Sequence, residues 1–170
     1  MTVWARLEPP RRRPGHSSTS CSSRRSQSAT AACRRYTSGV NLPSVLIDAL
    51  ARVATTRPDI RALYVFGSQA TGTARPDSDV DVGVLYTSRQ PLTLTLQLEH
   101  EIEQDLGRKV DVVDAAAAGA FLALEIVRGE RIFCRDPTEA DLFELYVLRR
   151  AGDLLPFERE RQALLGLPSR

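Results

Sequence analysis

The sequence predicts an α/β fold. From residue 41 onward, segments with apolar residues at helical spacing alternate with short apolar runs bounded by turn residues. Apolar residues make up 42 % of the 170, enough for a real core in one domain. The longest apolar runs fall far short of the roughly 18 residues that a membrane-spanning helix needs.

The elements follow in order. Pro43 suits the first turn of a helix, and Val45, Leu46, Ala49, Leu50 and Val53 recur at helical spacing until Arg57-Pro58 ends it. Residues 61–66 read as a strand. Residues 67–79, rich in Gly, Ser, Thr, Asp and Pro, read as a loop or a short helix. Residues 80–86, VDVGVLY, read as a second strand. Pro91 opens a helix to about Leu106 with Leu94, Leu98, Ile102 and Leu106 on one stripe, although its TLTLTL start also alternates. Gly107 offers a C-cap. Residues 109–113, KVDVV, read as a third strand, and residues 115–128 as an Ala-rich helix stopped by Gly129. Residues 130–134 fit a fourth strand. Asp136 offers an N-cap with Pro137 in the first turn, and a last helix runs through Leu142, Leu145, Tyr146 and Arg149, with a break near Gly152 and Pro156.

Net charge misleads when read whole. The chain carries +2, which hints at a nucleic-acid binder. Residues 1–39 hold eight arginines against one acid, Glu8, a net +7; residues 40–170 hold 15 basic against 20 acidic residues, a net −5. The basic character belongs to a tail, so no direct nucleic-acid partner is expected. Residues 1–40 are expected to be a disordered basic tail, since they lack apolar periodicity. Three readings fit them: a basic arm, an organelle transit peptide, or a mis-assigned gene start, with Val40 open to encoding by an alternative start codon. The third is favoured. The folded domain is expected over residues 41–165, in the cytoplasm and without a membrane partner. Cys21 and Cys33 lie in the tail and Cys134 stands alone, so no disulfide framework is expected and Cys134 reads as a small core residue. The single lysine, Lys109, among 22 arginines reads as GC-rich coding.

Chemistry concentrates in residues 63–86, LYVFGSQATGTARPDSDVDVGVLY. A strand ends in Gly67-Ser68, and ten residues later Asp79-Val80-Asp81 enters the next strand. Side chains at i and i+2 of a strand share one face, roughly 7 Å apart, so Asp79 and Asp81 project together while Val80, Val82 and Val84 face the core. Two such carboxylates can bracket hard cations such as Mg²⁺. Asp111, inside the apolar strand KVDVV, is the natural third ligand, because a charge flanked by Val110 and Val112 needs a partner or a metal. Gly67 lets backbone approach phosphates, and the Ser68 hydroxyl can hold phosphate oxygens. Acids at strand mouths are usually just solvated; the spacing, the strand context and the third aspartate together favour a site. Asp77 and Ser78 read as turn residues, Asp114 as a cap, Arg75 as solvated or within reach of a phosphate, and His100 as surface.

The pattern of GS, ten residues, then DVD resembles the signature of the polymerase-β-type nucleotidyltransferase superfamily. Within it, VFGSQATGTARPDSDVDVGVL resembles the minimal nucleotidyltransferase (MNT) antitoxins of HEPN–MNT toxin–antitoxin pairs, over about residues 42–150. The resemblance implies a nucleotidyltransferase (polymerase-β-like) fold, a small mixed sheet flanked by helices. It also implies an enzyme that uses ATP and two Mg²⁺ ions to transfer AMP to a tyrosine of a HEPN ribonuclease toxin. Carried over, Asp79, Asp81 and Asp111 are the metal ligands and catalytic carboxylates, and Gly67 and Ser68 hold the β/γ phosphates. Gln69 and Thr71 depart from relatives that carry basic residues there. Two alternatives stand beside it: a small-molecule, antibiotic-type nucleotidyltransferase, and a non-catalytic module that neutralises a toxin by contact. The short stretch after Asp111 argues against the first, and the three intact carboxylates against the second.

Overall fold

The structure is a computed structural model that describes residues 42–75 and 77–166. The expected basic tail lies outside the described residues. Four strands form one mixed sheet in the order β3-β2-β1-β4. Strand β1 (Ile60–Phe66) runs antiparallel to both β2 (Val80–Tyr86) and β4 (Glu130–Cys134), while β2 and β3 (Val110–Asp114) are parallel. The parallel pair needs a crossover, and helix α3 (Leu92–Leu106) supplies it. The small mixed sheet flanked by helices is the one the resemblance implies.

Alternation along the strands splits the core into two layers. One layer joins Leu63 and Val65 of β1, Val80, Val82 and Val84 of β2, and Val110 and Val112 of β3 to helices α1 (Ser44–Thr56) and α3. Across the sheet, Ala62, Tyr64 and Leu85 pack with helices α4 (Ala120–Arg128) and α5 (Pro137–Leu164) through Ile126, Phe143 and Val147. Leu50, Leu63, Leu98 and Ile126 are wholly buried, and each such side chain contributes about 1.5–3 kcal/mol relative to exposure. Cys134 is buried in the second layer, as expected of a small core residue. The other two cysteines, Cys21 and Cys33, lie outside the described residues.

Polar side chains complete backbone groups that the elements leave open. Strand β3 is an edge strand, and two carboxylates one helical turn apart on α3 close that edge: Val110 N–H donates to Glu103 Oε1 and Val112 N–H to Glu99 Oε2, both at 3.1 Å. Arg135 donates from Nε to the Ile60 carbonyl at 2.7 Å and from Nη2 to those of Ala54 and Arg57 at 3.0 and 2.6 Å, closing the end of α1. Buried Arg131 on β4 bonds Asp141 and Glu144 of α5 at 2.8 and 2.9 Å, and Glu144 also accepts from Tyr64 Oη at 3.2 Å.

Two boundaries differ from the sequence reading by more than one residue. Helix α4 begins at Ala120 rather than near 115, because Ala115 N–H extends the ladder to the Val84 carbonyl and Asp114 Oδ1 accepts from Ala116 N–H at 3.0 Å, holding a turn. Helix α5 does not break at Gly152 or Pro156 but runs to Leu164. Proline at 156 forgoes the bond to the carbonyl four residues back, and that residue is an exposed glycine whose carbonyl water can satisfy. Among the described residues no helix is long and apolar enough to cross a membrane.

Candidate active site

The site gathers at one end of the sheet. Strand β1 ends at Phe66, and Gly67, at φ +64°, turns the chain into the short helix α2 (Gly67–Thr71). Antiparallel register pairs Phe66 with Asp81, and parallel register pairs Asp81 with Asp111. Asp81 and Asp111 therefore stand side by side on neighbouring strands, on the face opposite Val80, Val82, Val110 and Val112. Asp79 lies two residues before Asp81, where the chain enters β2. Gly67 packs against the Asp81 carboxylate so tightly that a Cβ there would overlap Oδ2. The structure thus brings Gly67, Asp81 and Asp111 together, with Ser68 and Asp79 adjoining in sequence.

Electrostatics follow from that crowding. Asp81 is half-buried and its pKa is pushed up, first by burial, then by the facing Asp111 and Asp79 carboxylates. Such a surplus of negative charge suits a cation, and an all-oxygen donor set suits a hard one. As they lie, no three acidic, histidine or cysteine side chains among the described residues are grouped to hold a metal ion. Asp79 is instead paired: Lys109 Nζ donates to its Oδ2 at 3.1 Å. Sequence reasoning missed Lys109, reading it as codon usage; its place two residues before Asp111 was the available signal, since register then sets it opposite the start of β2.

The remaining candidates fall out plainly. Ser78 stabilises the turn, its Oγ accepting from Arg75 N–H at 2.9 Å, and Arg75 itself is exposed. Arg108 Nη2 bonds the Ser78 carbonyl. Gln69 is buried, and the Thr71 hydroxyl bonds the carbonyls of Gly67 and Ser68 at 3.2 and 3.3 Å. His100 is exposed and bonds Gln104 at 2.8 Å. Tyr146 on α5 is 37 % exposed.

Comparison with known proteins agrees with this architecture. Residues 48–138, more than half of the chain, match the family described as polymerase beta, nucleotidyltransferase. The chain is similar to the protein adenylyltransferase MntA of Thermococcus cleftensis, at 35 % identity over 41 % of this chain and 70 % of that protein. It is similar also to the protein adenylyltransferase MntA of Shewanella oneidensis, at 26 % identity over 64 % and 76 %. Its fold resembles one solved complex, a tri-AMPylated Shewanella oneidensis HEPN toxin with MNT antitoxin, at 19 % identity and TM-score 0.57 over 72 % of this chain and 95 % of that one. The chain belongs to the polymerase beta nucleotidyltransferase family and, within it, to the MntA protein adenylyltransferases.

Proposed function

We propose that the protein is an antitoxin that transfers AMP from ATP to a tyrosine of a cognate HEPN ribonuclease toxin in the cytoplasm, with Mg²⁺, and so neutralises the toxin. One observation carries the reading: Asp81 and Asp111 stand side by side on adjacent strands, beside the turn at Gly67. Support comes also from the MntA relatives and from the AMP-bearing HEPN toxin of the Shewanella complex.

Asp79, Asp81 and Asp111 are the groups that would hold two Mg²⁺ ions. Bound there, the ions would offset triphosphate charge and make the incoming tyrosyl oxygen a better nucleophile. The backbone at Gly67 and the Ser68 hydroxyl would hold the β/γ phosphates. The tyrosyl oxygen bonds to the α-phosphorus, the bond from that phosphorus to the bridging oxygen breaks, and pyrophosphate leaves. Asp111, which is exposed, would accept the tyrosyl proton. Catalysis of this kind is mostly positioning and charge neutralisation.

The test is incubation of the full chain with labelled ATP, Mg²⁺ and a HEPN-domain ribonuclease toxin. Label on a tyrosine of that protein is the expected result. Tight binding without transfer would replace this reading with a contact-only antitoxin.

A further inference from the structure

Lys109 is the one lysine among the 23 basic residues of the chain, and the fold puts it at the site. Its carbonyl accepts from Val80 N–H at 3.0 Å, which fixes residue 109 opposite the start of β2. Its ammonium meets Asp79 Oδ2 at 3.1 Å. Arg108, next to it, bonds the Ser78 carbonyl, so residues 108 and 109 hold both Ser78 and Asp79.

The choice of cation matters here. Arginine is a planar fork that locks onto a carboxylate with two parallel bonds, whereas lysine is a compact charge on a flexible stem. A single ammonium contact is the easier one to exchange. The pair is also open to solvent, with side chains 72 % and 48 % exposed for Lys109 and Asp79, and exposed pairs are held weakly. A dication ligated by Asp79 would bring its double charge against the ammonium, and one of the two must give way.

We propose that Lys109 is the resident counter-ion of Asp79 in the metal-free protein, a positioning residue that competes with the divalent cation for that carboxylate and so sets how tightly metal binds. This rests on the reading of Asp79, Asp81 and Asp111 as metal ligands. Asp79 stays neutralised until a cation of higher charge arrives. The lysine thereby raises the concentration of free metal at which the site fills.

The experiment titrates Mn²⁺ alone, without nucleotide, into the full-length protein and its variants, reading free Mn²⁺ by electron paramagnetic resonance. Lys109→Met is expected to bind Mn²⁺ about twofold to tenfold more tightly than wild type. Lys109→Arg keeps the charge and is expected to stay at or above the wild-type dissociation constant. Arg52→Met, which removes one positive charge away from the site, is expected to leave it unchanged. Thermal melting in chelator checks that each variant folds. Unchanged or weaker binding in Lys109→Met, with binding lost in Asp79→Asn, overturns the proposal and leaves the metal reading standing. Equal tightening in Arg52→Met also overturns it, as a general charge effect. Wild-type binding in Asp79→Asn overturns both.

Discussion

Gly67 lies so close to Asp81 that a Cβ on residue 67 would stand 3.0 Å from the carboxylate carbon, besides overlapping its Oδ2. The backbone there has φ +64°, which side chains with a Cβ adopt at a cost of about 1 kcal/mol or more. Gly67→Ala is therefore expected to push Asp81 out of place. AMP transfer should fall at least ~100-fold, as loss of one well-placed polar group does, while the melting temperature drops only a few degrees. Near wild-type transfer in this variant would show that the tight turn is not part of the site.

Asp79→Ala, Asp81→Ala and Asp111→Ala remove one proposed metal ligand each. All three are expected to lose transfer by about 100-fold or more, with the HEPN partner still bound. Transfer retained in both Asp79→Ala and Asp81→Ala would refute the metal assignment.

The raised Asp81 pKa has a stability consequence of definite sign. A carboxyl whose folded-state pKa lies above its unfolded value binds its proton more tightly in the folded protein. Its contribution is therefore full in acid, below the unfolded value, and is lost as pH rises through the folded value. Asp81→Asn removes a charge that costs stability at neutral pH. In chelator, this variant is expected to melt above wild type near pH 7, with the gap closing toward about pH 4. The same variant should be inactive, so stability and activity move in opposite directions. A gap that widens in acid would contradict the burial and like-charge cause.

Arg131 is 5 % exposed and bridges β4 to α5 through Asp141 and Glu144, while Tyr64 Oη also leans on Glu144. Arg131→Met leaves a half-buried carboxylate beside a buried phenol. The expected loss is about 3–5 kcal/mol in denaturant unfolding. Arg161, exposed on the far part of α5 and paired with Glu158 one turn away, is the contrast: Arg161→Ala should leave the unfolding midpoint in place.

The strands were legible wherever alternation was clean. VDVGVLY gave β2 its bounds because each valine faces the layer under α1 and α3, while Asp81, Gly83 and Leu85 face the side of α4 and α5. The GS and DVD spacing pointed to Gly67, Asp79 and Asp81 before any register was known. Tertiary pairing decided the rest. Ala115 to Ala118 have high helix propensity, yet Asp114 spends its side chain on their turn, and the helix waits until Ala120. Pro156 reads as a breaker in any local scheme, but a single missing bond on a solvated helix does not end it. Lys109 and Asp79 are 30 residues apart, and only the parallel register of β2 and β3 reveals that they meet.

Glu99 and Glu103, bonded to the outward N–H groups of Val112 and Val110, decide how another molecule can approach this protein. An unprotected edge invites a visiting peptide to add itself as a further strand. Here two of the donors such a peptide would need are already taken, and two carboxylates would repel its carbonyl oxygens. Growth of the sheet past β3 is blocked. Under the proposed AMP transfer, a target tyrosine would come on a loop or terminus that reaches over the strand ends to Asp81 and Asp111, rather than as a further strand beside β3.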